Sequence, residues 1–253
     1  MKLFETFLVA MSTYSSLPMP QLEWNEKNMR YAICFFPAVG VVCSGALLLW
    51  NWFCCRLNVN PVLFAAAAVC LPLFITGGIH MDGYMDTVDA LASHQSRERK
   101  LEIMKDSTCG AFAVLYCGVY LMLHFGLFFT VYEDGGVVSY APIYILSRAL
   151  SAFCAVTMPN ARRTGMLCAF TENTQKKKAT AAMILLSVVT AAGLFCINRI
   201  RGGLAVVAAV CALLWYRYMA MKQFGGVTGD TSGFFLQICE LAALAGVCLG
   251  GLV

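Results

Sequence analysis

Residues 60–89 read NPVLFAAAAVCLPLFITGGIHMDGYMDTVD, an apolar run that passes directly into three aspartates. The run Asn60–Ile79 contains no charged side chain. About 20 apolar residues are enough for a helix to cross the hydrocarbon core of a bilayer. His80 and the carboxylates follow at once. The stretch therefore predicts a membrane-spanning helix that ends in a group of ionisable side chains.

The rest of the chain repeats this apolar pattern. Of the 253 residues, 60% are hydrophobic and 13% are charged, whereas soluble domains carry about 25% charged residues. Because spans of this kind are helical, we predict an all-α, polytopic membrane protein with seven transmembrane helices and a single domain, residues 1–253. The seven runs are Tyr31–Phe53, Asn60–Ile79, Thr108–Tyr132, Val137–Met158, Ala179–Asn198, Gly202–Met221 and Gly233–Val253.

The N-terminal segment and the basic residues set the expected orientation. Residues 1–20 hold an apolar run that is too short to span, is interrupted by Glu5 and ends at Pro18 and Pro20. This pattern predicts an amphipathic helix at the membrane interface. Lys and Arg concentrate in the N-terminal segment and in the loops after the second, fourth and sixth runs. The positive-inside rule places these segments in the cytoplasm and the C-terminus outside.

The three aspartates form a pattern with chemical meaning. Asp82, Asp86 and Asp89 are four and three residues apart, so a helix places them on one face in adjacent turns. No Lys or Arg lies among them, and Gly83 leaves room for a close approach. Hard oxygen ligands suit Mg²⁺, which also takes ligands from substrate phosphates. The pattern predicts a Mg²⁺ site for phosphoryl transfer, and a polar helix on the membrane surface is the alternative.

A second charged segment, residues 97–106, follows. Its acids recur at four-residue spacing with basic residues between them: Arg97, Glu98, Arg99, Lys100, Glu102, Lys105 and Asp106. Basic groups beside a metal site suit phosphate binding. Charges of alternating sign also pair with one another on the surface of a helix. Both interpretations stay open for this segment.

Three more places carry candidate groups. Arg162 and Arg163 have the geometry to hold phosphate by bidentate contacts. Asp230 lies among glycines and is either a further ligand of the metal site or part of a plain turn. Within a span, Arg148 is costly without a partner and is expected to meet an anionic substrate or a carboxylate such as Glu240. The 13 cysteines include no C-x-x-C pair and are interpreted as buried apolar residues.

The motif GGIHMDGYMDTVDAL at residues 77–91, followed by RERKLEIMKDSTCG at 97–110, resembles the cobalamin 5′-phosphate synthases, also called adenosylcobinamide-GDP ribazoletransferases. Weaker similarities occur in the family's order: SSLPMP at 15–20, FFPAVG at 35–40, LSR ending at Arg148, PNARRTG at 159–165 and GGVTGD at 225–230. The chain departs from the family pattern at residues 90–94, at Thr108, where arginine is common, and at Ala113, where glycine is common. The resemblance covers nearly the whole chain.

The resemblance implies an activity and a location. The chain would transfer the cobinamide-phosphate moiety of adenosylcobinamide-GDP to α-ribazole, or to its 5′-phosphate, and release GMP. It would use Mg²⁺ at the cytoplasmic face of a bacterial inner membrane, with no nucleic-acid partner. Association with a second copy of the chain or with other enzymes of nucleotide-loop assembly is compatible with this location.

The resemblance also gives the candidate residues their expected roles. The expected metal ligands are Asp82, Asp86 and Asp89. Asp106, or one of those three, accepts the proton of the attacking hydroxyl, and His80 orients a carboxylate or contacts the leaving nucleotide. The groups expected to bind substrate are Lys105, Arg148, Arg162, Arg163 and Asp230.

Two other functions compete with this one. The Asp-Gly motif with two further aspartates is also similar to that of CDP-alcohol phosphotransferases, although the Ala-Arg that follows their first Asp-Gly is missing here. A transporter is the alternative from a different class. Transporters place ionisable groups near the midplane, and Arg148, Arg217 and Glu240 are the candidates within these spans.

Overall fold

The computed structural model describes residues 2–20, 29, 31–106, 108–162, 164–172 and 174–253. These residues form helices joined by turns, with one isolated parallel bridge between Asn160 and Val227. The predicted all-α class is confirmed. The helices are α1 Lys2–Tyr14, α2 Phe36–Leu57, α3 Pro61–Thr76, α4 Ile79–Ala92, α5 Arg97–Ile103, α6 Ala111–Glu133, α7 Val137–Tyr140, α8 Ile143–Thr157, α9 Met166–Glu172, α10 Lys176–Ile197, α11 Arg199–Gln223 and α12 Gly229–Leu249, and a 3₁₀ turn, Ala32–Phe35, precedes α2.

In the part of the chain that the structure describes, six helical segments are long and apolar enough to cross a membrane. They are Ala32–Leu57, Ala111–Glu133, Val137–Thr157, Lys176–Ile197, Arg199–Gln223 and Gly229–Leu249. Helices α3 and α4 meet the same criteria only as a pair, and they are bent by 95° at their junction. The chain is therefore a polytopic membrane protein, with six spans by this measure or seven if the bent pair counts as one.

The bend between α3 and α4 falls at two glycines that the sequence analysis placed inside the second span. Gly77 and Gly78 have φ angles of 63° and 78°, a left-handed conformation that is costly for residues with a side chain. Gly77 caps α3, and its N–H bonds to the carbonyl oxygen of Leu73. Helix α3 consequently ends at Thr76, and α4 turns away from the direction of α3.

The spans form an inner and an outer layer. In the most apolar stretches of Val137–Thr157 and of α12, 78% and 67% of the residues are buried, against 22% for α6 and 17% for α10. The exposed faces of α6 and α10 carry large apolar side chains such as Leu115, Leu123 and Val188. Such faces are expected where the surrounding solvent is lipid. Helix α12 lies at the centre, in contact with α4, α6, α8 and α11.

Helix α1 covers the junction between α2 and the bend. It is not among the candidate spans, which agrees with its predicted length. Its residues Val9, Ala10 and Met11 are buried against the body of the protein, whereas Phe4 is exposed. Just after α1, the N–H of Ser16 donates to the carbonyl oxygen of Ile75 at 2.8 Å. The N-terminal segment is thereby fixed to the end of α3, next to the site described below.

Candidate active site

Helix α4 carries His80 and the three predicted aspartates, and it packs closely against α12. The closest contact is made by glycines. A Cβ atom on Gly83 would lie 2.8 Å from Asp230 Cα, and one on Gly233 would lie 2.9 Å from the carbonyl oxygen of His80. Both distances are too short for real side chains. The close approach predicted at Gly83 is therefore an approach of α12, and it brings Asp230 beside the aspartates of α4.

The carboxylates of Asp82, Asp86 and Asp230 form one electrostatic group, which we call the carboxylate site. Its effect is seen at Asp86, which is half-buried on α4, outside the six segments that qualify as spans on their own. Burial, followed by the negative charges of Asp82, Asp230 and Asp89, raises the pKa of Asp86 to about 7, and only partial relief comes from Arg162. Counted over the residues that the structure describes, the site thus holds more negative charge than its neighbours neutralise.

Arg162 contributes a guanidinium group to this site. Its Nη1 pairs with Asp230 Oδ2 at 3.1 Å, and its Nη2 donates to the carbonyl oxygen of Leu101 at 3.0 Å. Its Nε is buried and has no hydrogen-bond partner among the described residues. The loop that holds Arg162 is tied to the loop before α12, since Ala161 N donates to Val227 O at 2.9 Å. Arg162 and Asp230 are consequently held together by their backbones as well as by their charges.

Asp230 lies in the first turn of α12, where the sequence analysis left a metal ligand or a plain turn open. Thr228 caps the helix in a reciprocal capping box with Thr231. The preceding Gly225 has a φ of 78°, as a tight turn requires. The glycine-rich segment is therefore a turn, and it also aims an aspartate at the carboxylate site. Helix α12 begins at Gly229, four residues before the predicted start of the last span.

Asp89, the third of the predicted metal ligands, is bonded to another helix in this structure. Its Oδ2 accepts from Gly110 N at 2.5 Å, and its Oδ1 accepts from Ala113 N at 2.8 Å. These N–H groups belong to the first turn of α6, where a carboxylate is favoured because the N–H groups there lack helical partners. Asp89 fixes α6 to α4, while Asp82 and Asp86 have no such bond among the described contacts.

A cavity of about 320 Å³ opens beside the carboxylate site. Its polar lining includes His80, Asp82, Asn160, Arg162 and Asp230, and its apolar lining includes Ile33, Phe36, Ala152, Ala155 and Leu236. Tyr14 of α1 closes one side. His80 is buried, and its Nε2 has no hydrogen-bond partner among the described residues. Burial, and then the charge of Arg148, lower the pKa of His80 to about 3, so the imidazole is neutral.

The carboxylate site suits Mg²⁺, although it is not a preformed cage of ligands. Among the described residues, no group of three or more His, Cys, Asp or Glu side chains is arranged to hold a metal ion. Mg²⁺, however, usually takes one or two protein carboxylates and completes its shell with water and substrate phosphates. The surplus negative charge that raises the pKa of Asp86 would be relieved by such a cation.

The second charged segment contacts Arg162 through the Leu101 carbonyl, but none of residues 97–106 lines the cavity itself. Asp106 follows α5 and accepts from Thr108 N at 2.9 Å and from Thr108 Oγ1 at 2.7 Å. These two bonds lower the pKa of Asp106. Asp106 lines a separate shallow depression with Asp89, and Lys105 is exposed. On α5 itself, Arg99 pairs with Glu102 at 2.8 Å. Arg163 falls outside the described residues.

Arg148 is paired inside the protein and does not line the cavity. Its Nη1 lies 2.7 Å from Glu240 Oε1 and 2.9 Å from the carbonyl oxygen of Tyr144. Ser147 Oγ donates to the same carboxylate oxygen at 2.8 Å. Of the partners expected for Arg148, the structure shows the carboxylate, Glu240. This ion pair joins α8 to α12.

Sequence reasoning missed the apolar half of the cavity and one of its polar groups. Asn160 precedes the two arginines in the motif PNARRTG, so its place in that motif was the available signal. Ile33, Phe36 and Leu236 gave no signal, because apolar residues in an apolar chain indicate only burial. Their arrangement around one cavity depends on contacts between distant helices.

The fold and the site together define a class of protein. The chain is a polytopic helical membrane protein whose carboxylates and guanidinium group face a cavity, an arrangement suited to group transfer on a phosphorylated substrate. The family model described as cobalamin-5-phosphate synthase matches residues 6–248. The chain belongs to this family, as its motifs predicted, and it is a transferase.

Similar proteins extend along the full chain. A protein of Lachnoclostridium phytofermentans named adenosylcobinamide-GDP ribazoletransferase is 39% identical, over 100% of this chain and 97% of its own length. Proteins with the same name from Clostridium botulinum (strain Alaska E43 / Type E3) and Acinetobacter baumannii (strain ACICU) are 29% and 31% identical, over 98% and 92% of this chain. No solved structure matches the chain significantly.

Proposed function

We propose that this chain transfers the cobinamide-phosphate moiety of adenosylcobinamide-GDP to α-ribazole, or to its 5′-phosphate. A ribose hydroxyl oxygen of the acceptor forms a bond to the phosphorus that bears cobinamide. The bond from that phosphorus to the bridging oxygen breaks, and GMP leaves with the electron pair. The products are adenosylcobalamin, or its 5′-phosphate, and GMP. The observation that carries this proposal is the carboxylate site, with Arg162, at the wall of a cavity.

Mg²⁺ is the cofactor that suits this chemistry. Asp82 and Asp86 would hold it, with Asp230 beside them, and Asp89 supports the site through its bonds to α6. When bound, Mg²⁺ neutralises charge on the pyrophosphate and favours departure of GMP. This division of roles keeps two of the three ligands predicted from the sequence and adds the aspartate that the contact at Gly83 brings near.

The chain's own residues have separate tasks in the reaction. Arg162 binds a phosphate oxygen through its unpartnered Nε, while its Nη1 keeps Asp230 in place. A carboxylate of the carboxylate site accepts the proton of the attacking hydroxyl. Asp106 is less suited to this step, because it lies outside the cavity and its pKa is lowered by Thr108. Arg148 supports the site by joining α8 to α12.

The proposed location is the inner membrane of a bacterium, with the cavity on the cytoplasmic side. Two observations support this orientation. The loops before α6 and between α8 and α10 carry most of the loop lysines and arginines. The donor, adenosylcobinamide-GDP, is large and charged, so a site open to the cytoplasm receives it without membrane crossing. A binding partner among enzymes of the same pathway would act from that side.

A turnover assay on detergent-purified protein tests the function. Adenosylcobinamide-GDP, α-ribazole and Mg²⁺ are supplied, and GMP and the corrinoid product are measured by mass spectrometry. We expect product from the wild type and none from Asp82→Asn, with both proteins equally folded by circular dichroism. Release of CMP from CDP-linked lipids, without any corrinoid product, would replace this function with a lipid phosphotransferase. Equal turnover by Asp82→Asn would remove the metal role of that residue.

A further inference from the structure

The cavity has two chemically different regions. Ile33, Phe36, Ala152, Ala155 and Leu236 belong to a single cluster of buried apolar side chains, so the apolar lining is continuous. The polar lining is also continuous, because Arg162 forms an ion pair with Asp230 and its charge also acts on Asp86 of the carboxylate site. A ligand that fills the cavity must therefore be apolar in one part and charged or hydroxylated in another.

His80 connects the two regions. Its ring meets the edge of Phe36 at a centroid distance of 5.5 Å, and it is two residues from Asp82 on α4. Its Nε2 is buried and unpartnered among the described residues, on a side chain that is only 7% exposed. A buried polar atom is costly to leave without a hydrogen-bond partner. His80 also lines the cavity, so a ligand bound there is an available partner for its ring.

The substrates of the proposed reaction offer three bulky groups for the apolar region: the corrin macrocycle, guanine, and the benzimidazole base of α-ribazole. A cavity of about 320 Å³ lies at the small end of the range for ligand pockets, about 300–1,000 Å³, and is too small for a corrin macrocycle. Guanine has hydrogen-bonding groups on most of its edges, and these suit the polar lining of the cavity better than Ile33, Ala152 and Leu236. The dimethylbenzimidazole base is planar and apolar, with one free ring nitrogen.

We propose that the apolar region binds the base of the acceptor nucleoside, with Phe36 against the ring and His80 Nε2–H donating to its free ring nitrogen. The ribose then extends toward Asp82 and Asp230, where a hydroxyl meets the phosphorus of the donor. This inference rests on the proposed function and assigns one substrate to one part of the cavity. The corrinoid and the guanine nucleotide approach from the open, charged side.

The hydrogen bond to His80 is tested with two acceptors that differ by one atom. The N1 α-riboside of 5,6-dimethylindole has the shape of α-ribazole but carries C–H in place of the free ring nitrogen. The wild type is expected to show a KM for α-ribazole about tenfold lower than for the indole riboside, the effect of one hydrogen bond of about 1.4 kcal/mol. His80→Leu is expected to raise the KM for α-ribazole alone, so that the two acceptors become equal. His80→Gln, which keeps an N–H donor, is expected to restore part of the preference.

The position of the base is tested separately by filling the apolar region. Ala155 lines the cavity and is 3% exposed, so Ala155→Leu would occupy space that the base needs. We expect the KM for α-ribazole to rise at least about tenfold, because a pocket discriminates by about that factor for each excess methylene group. The KM for adenosylcobinamide-GDP is expected to change less than twofold. Ala181→Leu, the same change on an exposed face of α10, is the control.

The outcomes separate this inference from the function it rests on. Equilibrium dialysis of radiolabelled α-ribazole against wild type and Ala155→Leu, without donor, measures acceptor binding without turnover. If the wild type makes no corrinoid product, the proposed function fails. If the wild type turns over but Ala155→Leu and His80→Leu raise the KM of the donor instead, the function stands and this inference is overturned. An equal loss with α-ribazole and its indole analogue in His80→Leu overturns the hydrogen bond alone.

Discussion

Helix α12 meets two sets of ionisable groups, and they differ in the balance of charge. In its interior, Glu240 forms a one-to-one pair with Arg148, and both side chains are almost fully buried. At its N-terminal end, Asp230 joins the aspartates of α4, and Arg162 is the guanidinium that they meet among the described residues, beside a cavity. Each charge of a buried one-to-one pair is compensated by its protein partner. An excess of like charge beside a cavity is typical of a functional site.

The largest effect on activity is expected at the carboxylate site. Asp86→Asn removes a proposed Mg²⁺ ligand, so turnover is expected to fall by more than about 100-fold. The same substitution relieves repulsion, so the melting temperature in detergent with EDTA at pH 8 is expected to rise. A gain of about 1 kcal/mol corresponds to about 2–4 °C for a chain of this size. A loss of activity together with a lower melting temperature would show that Asp86 is a structural residue.

At the Arg148–Glu240 pair, a substitution is expected to lower the melting temperature. Glu240→Leu leaves the Arg148 guanidinium buried without its partner, which costs about 3–5 kcal/mol. The melting temperature is then expected to fall by about 10 °C. The double variant Arg148→Leu/Glu240→Leu removes both charges and is expected to recover most of the lost stability. If the double variant is folded but inactive, Arg148 acts on the substrate, and the comparison between the two sets of charges fails.

The dependence of stability on pH provides a third test, with a smaller effect. The pKa of Asp86 is about 7 in the folded protein, above its ordinary value of 3.8. Between pH 3.8 and about pH 7, Asp86 therefore keeps a proton in the folded state that it has lost in the unfolded state. The stability of the fold consequently decreases as the pH rises through this window. Thermal unfolding in EDTA from pH 4.5 to 8 should show this decrease. Asp86→Asn should flatten it, and saturating Mg²⁺ should reduce it by favouring the ionised carboxylate.

Much of the fold and part of the site were predictable, because they depend on local patterns. The apolar runs gave the spans to within a few residues, since span length is set by the thickness of the bilayer. The four- and three-residue spacing gave one helix with its aspartates on a shared face. The end of α3 was misplaced, because the two glycines at 77 and 78 are as apolar as their neighbours and only their backbone angles reveal the bend.

The remaining features of the site depend on contacts between distant parts of the chain. Asp230 reaches Asp82 only because Gly83 lets α12 approach, and nothing local links residues so far apart in sequence. Asp89 has the same spacing as its neighbours, yet it bonds the start of α6. Spacing identifies which side chains share a face of a helix. It does not identify which of them a second helix will engage.

The smallest expected effect concerns α5, where phosphate binding and surface pairing both remained open. The Arg99 and Glu102 side chains are 62% and 63% exposed, and exposed pairs contribute about 0–1 kcal/mol. Arg99→Gln and Glu102→Gln are therefore each expected to shift the melting temperature by no more than about 4 °C and to leave both KM values unchanged. A rise in the KM of adenosylcobinamide-GDP with Arg99→Gln, but not with Glu102→Gln, would assign Arg99 to the donor phosphates. The charge of α5 would then belong to the site, and a paired surface charge would no longer be evidence of a purely structural role.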